Sequence, residues 1–420
     1  MRIKTSLVSG AALGVMLACG LGVAAHAQDN TIAWKGAPQW TNDDVYFKVR
    51  GRILVDAVFQ DVKRDGPGGD FDTRNVRGRQ VFLGIEGKLN NYVAYKAEGG
   101  AVNGGAWSWD DVVIEVKPTE QTSLLFGNVK VAGLENLTST RFTTFMDRGP
   151  YGDFGVDSYR LGVVGKYQGP NYSAALGVQG ADINTVDVAN ASADSKERLV
   201  ITGRAHWNPI NTDGDKVHLG VSYRYRNRGD EGMFAYTGRT NTAYSNATFY
   251  TTGNIGNRDK TIAAEGAWVH GPLSVQGEYS SIDVTRAGGA AVGGDPTIKV
   301  GYAMVSFWPT GESRNYDGAA GEFKRPKILN PITAGGFGGI ELAARYDFAD
   351  LTDAYDTLKT KPVTGISQAG EYTGWTLGVN YYLTSYVRFM ANYTDGKVDN
   401  FGPNQDFDIK QFQLRAQLDF

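Results

Sequence analysis

In the stretch Lys48-Val49-Arg50-Gly51-Arg52-Ile53-Leu54-Val55-Asp56-Ala57-Val58-Phe59, Val49, Gly51, Ile53, Val55, Ala57 and Phe59 fall on one side of an extended chain. Lys48, Arg50, Arg52 and Asp56 fall on the other. Period two is the spacing of a β-strand, so one face is oily and the other charged. A soluble sheet would turn the charged face to water and the oily face to a core. A transmembrane barrel turns the oily face to lipid and the charged face to an aqueous lumen. One strand does not decide between these; repetition does. The dyad returns at Tyr159/Leu161/Val163/Tyr167 against Arg160/Lys166 and at Leu199/Ile201/Ala205/Trp207 against Arg198/Arg204/His206. It returns again at Leu219/Val221/Tyr223/Tyr225 and at Phe412/Leu414/Ala416/Leu418/Phe420.

The composition agrees. Gly is 55 of 420 residues, Pro 13, aromatics 12 %, and the formal charge is −3. That excludes collagen, coiled coil, a helical membrane bundle and a basic nucleic-acid binder, and no nucleic acid is expected as a partner. At the N-terminus Arg2 and Lys4 precede an apolar run from Leu7 to Ala25, closed by Ala25-His26-Ala27. This reads as a secretory signal, residues 1–27, cleaved before Gln28. Cleavage takes away Arg2 and Lys4 from the 42 basic residues, leaving 40 against 45 acidic ones, and removes the lone Cys19. Disulfides and thiolate metal sites are thereby excluded, and no metal, cofactor or catalytic residue is expected.

The alternation predicts an all-β antiparallel transmembrane barrel of 16 strands, occupying residues 45–420 behind a short periplasmic segment, 28–44. The strands are expected near 45–60, 76–89, 91–101, 110–118, 121–129, 158–168, 171–181, 197–207, 216–228, 259–270, 272–285, 297–308, 337–348, 372–383, 386–397 and 407–420. With the first strand rising from the periplasm, the connections at Asn90, Gly169-Pro170, Gly271 and Thr384-Ser385 are tight and lie below. Those at 61–75, 130–157, 229–258 and 349–371 are long and lie outside, as barrels arrange them. The segment 309–336 departs from this, being long on the periplasmic side. On descending strands Tyr167, Trp207, Trp268, Trp308 and Tyr381 sit at the lower end with lipid-facing parity, and Phe420 ends the chain. They predict an interfacial aromatic girdle.

At Gly127-Asn128-Val129-Lys130, Gly133-Leu134-Glu135-Asn136-Leu137-Thr138-Ser139 and Phe145-Met146-Asp147-Arg148 the chain resembles the phosphate-selective porin O/P family. The resemblance continues through Thr310-Gly311-Glu312-Ser313-Arg314-Asn315-Tyr316, Glu341-Leu342-Ala343-Ala344-Arg345-Tyr346, Gly374 to Leu383, Val387 to Tyr393 and Leu414 to Phe420. It spans nearly the whole mature chain. It implies a sixteen-stranded outer-membrane channel of a Gram-negative bacterium, a homotrimer with inward-folded loops narrowing the pore, and a barrel-assembly machinery that reads Phe420. Where the family frequently has arginines this chain has Gln80 and Phe82, and it lacks the prolines usual after Lys130.

An anion path needs cations on the polar face. Arg224, Arg226 and Arg228 make a ladder about 14 Å tall, with rungs about 6.8 Å apart, at the upper end of a rising strand. Arginine keeps its charge and forks onto phosphate oxygens. Lys130, which opens the 130–157 loop, is a separate candidate, and Arg50, Arg52, Lys96, Arg160 and Arg204 share lumen parity. Asp56, Glu86, Glu98, Glu265, Glu278, Glu341 and Asp347 offer to balance them, so a general porin stays open beside passage of small anions or phosphate. His206 and His218 have lumen parity near the turn at Pro209, so they can sit close together, either as a pH-sensitive or metal-binding pair or as ordinary lumenal polar residues. A lipid hydrolase needs a serine and histidine together on the lipid face; His270 has that parity without a nucleophile marked beside it.

Overall fold

The computed structural model describes residues 31–34, 36–42, 45–65, 68–156, 158–184, 199–229, 233–239, 248–286, 294–356, 369–400 and 406–420. The expected leader 1–27 lies outside them. Among these residues sixteen antiparallel strands form the barrel. They are β1 (Val45–Arg64), β2 (Phe71–Lys88), β3 (Val93–Val102), β4 (Trp107–Val116), β5 (Thr122–Val129), β6 (Arg160–Gly169), β7 (Tyr172–Gln179) and β8 (Leu199–Asn211). The second half comprises β9 (Asp215–Asn227), β10 (Tyr250–His270), β11 (Leu273–Arg286), β12 (Thr297–Phe307), β13 (Gly339–Asp350), β14 (Glu371–Thr384), β15 (Val387–Asp399) and β16 (Phe407–Asp419). Closure is direct: β16 pairs with β1 from Phe407 opposite Arg64 to Asp419 opposite Arg52. Gly51 and Phe420 exchange backbone hydrogen bonds of 2.9 and 3.0 Å below that. The Phe420 ring occupies the space that a Cβ at residue 51 would enter, 2.6 Å away, so this seam requires glycine. A barrel thus leaves no unpaired edge to hydrocarbon.

The alternation sorts the faces as expected. Ile53, Val55 and Phe59 are exposed outward while Arg52, Asp56 and Gln60 are buried inward. Several boundaries differ. The β1–β2 hairpin continues to Val62 opposite Phe71, which shrinks the expected 61–75 loop to a short turn. β10 starts at Tyr250, nine residues before the expected 259, because a short strand, Phe234–Gly238, pairs with its upper end. Residues 31–34 and 38–42 form a hairpin that extends the lower end of β1. Two aromatic assignments are corrected. Trp308 is buried against Tyr382 and Ile328 instead of facing lipid, because the chain leaves β12 at Phe307 and turns inward. Tyr159 also precedes its strand and turns its hydroxyl toward Asp111, 3.3 Å away, inside the barrel.

The lumen is not an open bore. The 130–157 loop enters from the upper end, and the 309–336 segment, the exception in the connection pattern, folds up from the lower end as a small hairpin, Asn315–Asp317 with Glu322–Lys324. They meet where the Phe323 amide donates to Thr138 Oγ1 at 3.2 Å and Leu134 packs with Tyr316 and Phe323. Above them Phe145, Tyr151 and Phe154 of the loop join Phe234, Tyr236, Phe249, Tyr250, Tyr302, Tyr372 and Phe407 in one apolar core. This core fills the upper lumen beside β10–β16, so the passage is pushed toward β1–β6.

Ile262 is exposed on the outer face of β10, six residues above Trp268. Replacing it by arginine puts a charge in hydrocarbon and should destabilise the barrel by about 2–4 kcal/mol. Urea-titrated refolding into liposomes measures this; an unchanged midpoint would mean that this face does not meet lipid.

Candidate functional site

β1 and its neighbours build one wall of the passage because their polar parity points inward there. Lys48, Arg50 and Arg52 of β1, Glu86 of β2, Lys96 of β3, Asp110 and Asp111 of β4 and Lys166 of β6 line a cavity of about 580 Å³. Its other wall comes from the two inward segments, through Lys130, Arg141 and Arg148 of the upper loop and Glu322, Lys324 and Arg325 of the lower one. Ten Lys and Arg side chains against five Asp and Glu line it, although the whole chain is net negative. Arg148 and Thr140 also line a smaller cavity of about 90 Å³, together with Arg79, Asp147 and Arg239. The strap from 140 to 148 therefore divides the passage.

Most of these cations are tied to carboxylates. Glu98, fully buried on β3, takes ion pairs from Arg50 at 2.6 Å, from Arg141 at 2.8 Å and from Arg52. Arg52 also pairs with Asp110, donates to Gln80 Oε1 at 2.8 Å and lies 4.1 Å over the Phe82 ring. The two residues that depart from the family pattern therefore cradle Arg52. Lys96 pairs with Asp111 at 2.6 Å, and the Tyr46 hydroxyl donates to Glu86 at 2.7 Å beside Arg50. A buried charge in such a cluster is tolerable because every partner is in place; removing one strands the rest.

Four lining cations have no carboxylate within ion-pair distance among the described residues: Lys48, Lys130, Arg148 and Lys166. Arg148 donates to two backbone carbonyls instead, Glu135 O at 2.9 Å and Thr138 O at 2.6 Å, which hold the guanidinium without cancelling its charge. Lys130 donates to Asn136 O at 3.2 Å and lies 4.4 Å from the Tyr159 ring centre. Burial first, and then the Arg148 charge, push the Lys130 ammonium down to about 7, with Asp110 and Asp111 opposing. The four form two tiers, Lys130 and Arg148 at the strap, Lys48 and Lys166 nearer the lower strand ends.

Of the residues singled out from sequence, Arg50, Arg52, Lys96 and Lys130 come together on this lining. Arg160 donates to Gly180 O at 3.1 Å, and Arg204 pairs with Glu265 at 2.6 Å; neither lines the cavity. Arg224, Arg226 and Arg228 stand on β9, outside the lining. Asp259 of β10 pairs with Arg226 and lies 3.6 Å from Arg224, while Arg226 and Arg228 stack 4.1 and 4.4 Å from the Phe234 ring. The ladder fastens the 234–238 strand. Other carboxylates are likewise engaged: Asp56 with Arg415 at 2.7 Å, Asp347 with Arg345 at 2.7 Å, Glu341 with Thr144 and Asn380, and Glu278 with the Glu135 amide at 2.7 Å. His270 pairs with Asp215 and stacks on Trp268 at the barrel's lower rim. Sequence reading left Lys48, Arg141, Arg148, Lys166, Lys324 and Arg325 off the anion path. Parity marks Lys48 and Lys166, but no periodicity marks residues on loops.

Residues 47–420 match the phosphate-selective porin O and P family. Porin O of Pseudomonas aeruginosa is 25 % identical over 444 residues, covering 97 % of this chain and 98 % of that protein. Among solved structures, an anion-selective porin from Comamonas acidovorans aligns with a TM-score of 0.51 at 12 % identity, over 90 % of this chain and 100 % of that one. OmpT of Vibrio cholerae in its trimer form aligns with 0.50 at 12 %, over 90 % and 100 %.

If Lys130 titrates near 7, its mean charge falls from about 0.9 at pH 6 to about 0.1 at pH 8. The anion-to-cation permeability ratio should then fall as pH rises across that window, and Lys130→Met should flatten the profile at the low value. Reversal potentials in a KCl gradient check this; a wild-type ratio constant from pH 6 to 8 would count against a neutralising Lys130.

Proposed function

Because the chain belongs to the phosphate-selective porin O and P family and is an outer-membrane porin of a Gram-negative bacterium, we propose that it passes small anions by preference, phosphate and polyphosphate among them. The observation that carries this is the lining itself, ten cationic against five acidic side chains on a net-negative chain, with four cations that have no carboxylate in ion-pair distance among the described residues. Charge of one sign in a narrow passage with low-dielectric walls concentrates the opposite ion. Two successive tiers of weak sites let an anion enter and leave again. Lys130, with Lys48, Arg148 and Lys166, acts on the anion directly, and Arg50, Arg52 and Lys96 line its way while paired with carboxylates. Arg160, Arg204, Arg224, Arg226 and Arg228 act through their field alone.

A general porin is the second reading, favoured by Glu98, Asp110 and Asp111 cancelling Arg50, Arg52 and Lys96. A porin is a channel, and its work here is passive diffusion. Two of the remaining proposals, the homotrimer and the reading of Phe420, follow from family membership; the others rest on the sequence itself. The leader 1–27 is cleaved, 28–44 stays in the periplasm, the barrel-assembly machinery reads Phe420, outer-membrane lipid covers the apolar face, and the chain forms a homotrimer.

Replacing Lys48 and Lys166 together by Gln removes two charges that have no carboxylate within ion-pair distance among the described residues. Single-channel reversal potentials at about 0.01 M salt, where the Debye length is about 30 Å, should show the anion preference falling severalfold. The shift should exceed that from the triple Arg224→Gln, Arg226→Gln, Arg228→Gln, although the triple removes more charge. Equal permeabilities in wild type and double variant would favour the general porin.

Sedimentation in mild detergent should show three copies. A persistent monomer would refute the homotrimer.

A further inference from the structure

The tip of the lower hairpin is gripped by polar side chains of β8 and β9. Gly318 O accepts from His206 Nε2 at 2.9 Å and from Asn208 Nδ2 at 2.7 Å, and Gly321 O accepts from Arg204 at 2.8 Å. Gly321 has φ +66°, and the His206 ring lies 2.5 Å from where a Cβ would be, so ring and hairpin are in close contact. The two imidazoles lie 5.3 Å apart, centre to centre.

Proton accounting assigns their states. Asn208 Nδ2 donates to Gly318, so its Oδ1 accepts the single Tyr316 hydroxyl proton at 2.7 Å. His218 Nδ1 must then donate to the Tyr316 oxygen. Its Nε2 lies 3.1 Å from Glu265 Oε1, and a second proton is held between these two atoms. His206 donates from Nε2 to Gly318 O and, neutral, accepts from Ser173 Oγ at 2.9 Å. A protonated His206 would still donate to Gly318 O and would turn Nδ1–H onto the Ser173 hydroxyl, so what protonation changes here is charge and not the number of hydrogen bonds. Arg204, His218 and Glu265 together carry one positive charge, since Glu265 offsets only one of two cations. Protonating His206 adds a second positive charge in the same buried cluster, and Glu265 is already shared by Arg204 and His218. One further carboxylate stands nearby: Glu278 of β11 lies opposite Glu265 in register, three strands from His206, and accepts the Glu135 amide at 2.7 Å. Lys166 faces the cluster from β6, and the hairpin's own Asp317 and Glu322 are engaged by Lys324.

We propose that the hairpin between Asn315 and Lys324 is an acid-released latch, held at neutral pH by His206 and His218 and let go when His206 takes a proton. Release frees the tip but not the whole segment, because Arg325 stays paired with Asp419 and donates to Ser385 O at 2.7 Å. Since Glu322 and Lys324 line the main cavity, their departure widens its lower end.

The test is single-channel conductance of the purified full-length barrel in 1 M KCl, which screens the effect of Lys130, in a Lys130→Met background. Conductance should rise about twofold between pH 7 and pH 5, the range in which imidazole titrates. His206→Gln keeps an amide donor for Gly318 but takes no proton, and should hold the low conductance throughout. A variant carrying Asn211→Cys and Gly318→Cys, positions in contact across the latch, should lose the acid step when oxidised and regain it on reduction. That comparison is internal to one folded protein. Conductance flat from pH 7 to 5 in the Lys130→Met background, an undiminished step when His206→Gln is added, or a step insensitive to the cross-link would each overturn the latch.

Discussion

Hydrocarbon cannot accept a hydrogen bond, and every other feature of this protein is arranged around that constraint. A strand crossing a membrane must pair both edges, so sixteen strands close through β16 and β1, and Gly51 with Phe420 completes the seam where regular pairing ends. Once the backbone is closed, side chains have two destinations. Apolar ones such as Val55, Phe59, Leu176 and Ile262 go to lipid, and charged ones are driven inward in numbers that no soluble core would hold.

That inward crowd of charge is stabilised by what is laid across it. Asn380 donates to Thr144 O, Arg388 to Thr143 O, Arg415 to Met146 O and Gln417 to Arg141 O, all from the wall to backbone carbonyls of the upper loop. The loop has little regular structure, and its carbonyls would otherwise lack partners in a narrow space; wall side chains supply them. The same contacts press the loop against β14–β16 and leave the passage along β1–β6. The charge balance of the lining and its packing are therefore coupled, since the residues that position the strap also decide which lining cations lie beyond reach of a carboxylate among the described residues.

A basic residue in a lumen is thus not evidence of an ion path until its neighbours are known. Arg224, Arg226 and Arg228 have the spacing of an anion ladder, yet Asp259 and Phe234 engage them, and their main structural effect is to fasten a short strand to the upper end of β10. Arg148 has no such spacing, yet two carbonyls hold it at the division between the cavities with its charge intact.

The barrel, its strand number and the direction of each face were legible in the sequence because period-two alternation is a local property, and lipid makes it obligatory; the inward loop was expected only from the family resemblance. Lumen parity likewise marked Arg50, Arg52, Lys96, His206 and His218. Strand ends were less legible: β1, β2 and β10 run past the alternating stretches, where pairing continues on partner strands without help from lipid. The inward turn of Trp308 and Tyr159, the folding of 309–336 into the lumen and the choice of Lys48, Lys130, Arg148 and Lys166 as the uncancelled cations were decided only in three dimensions. Charge cancellation depends on distances between residues far apart in the chain, Arg52 and Glu98 or Arg345 and Glu135, and no periodicity along one strand encodes those distances.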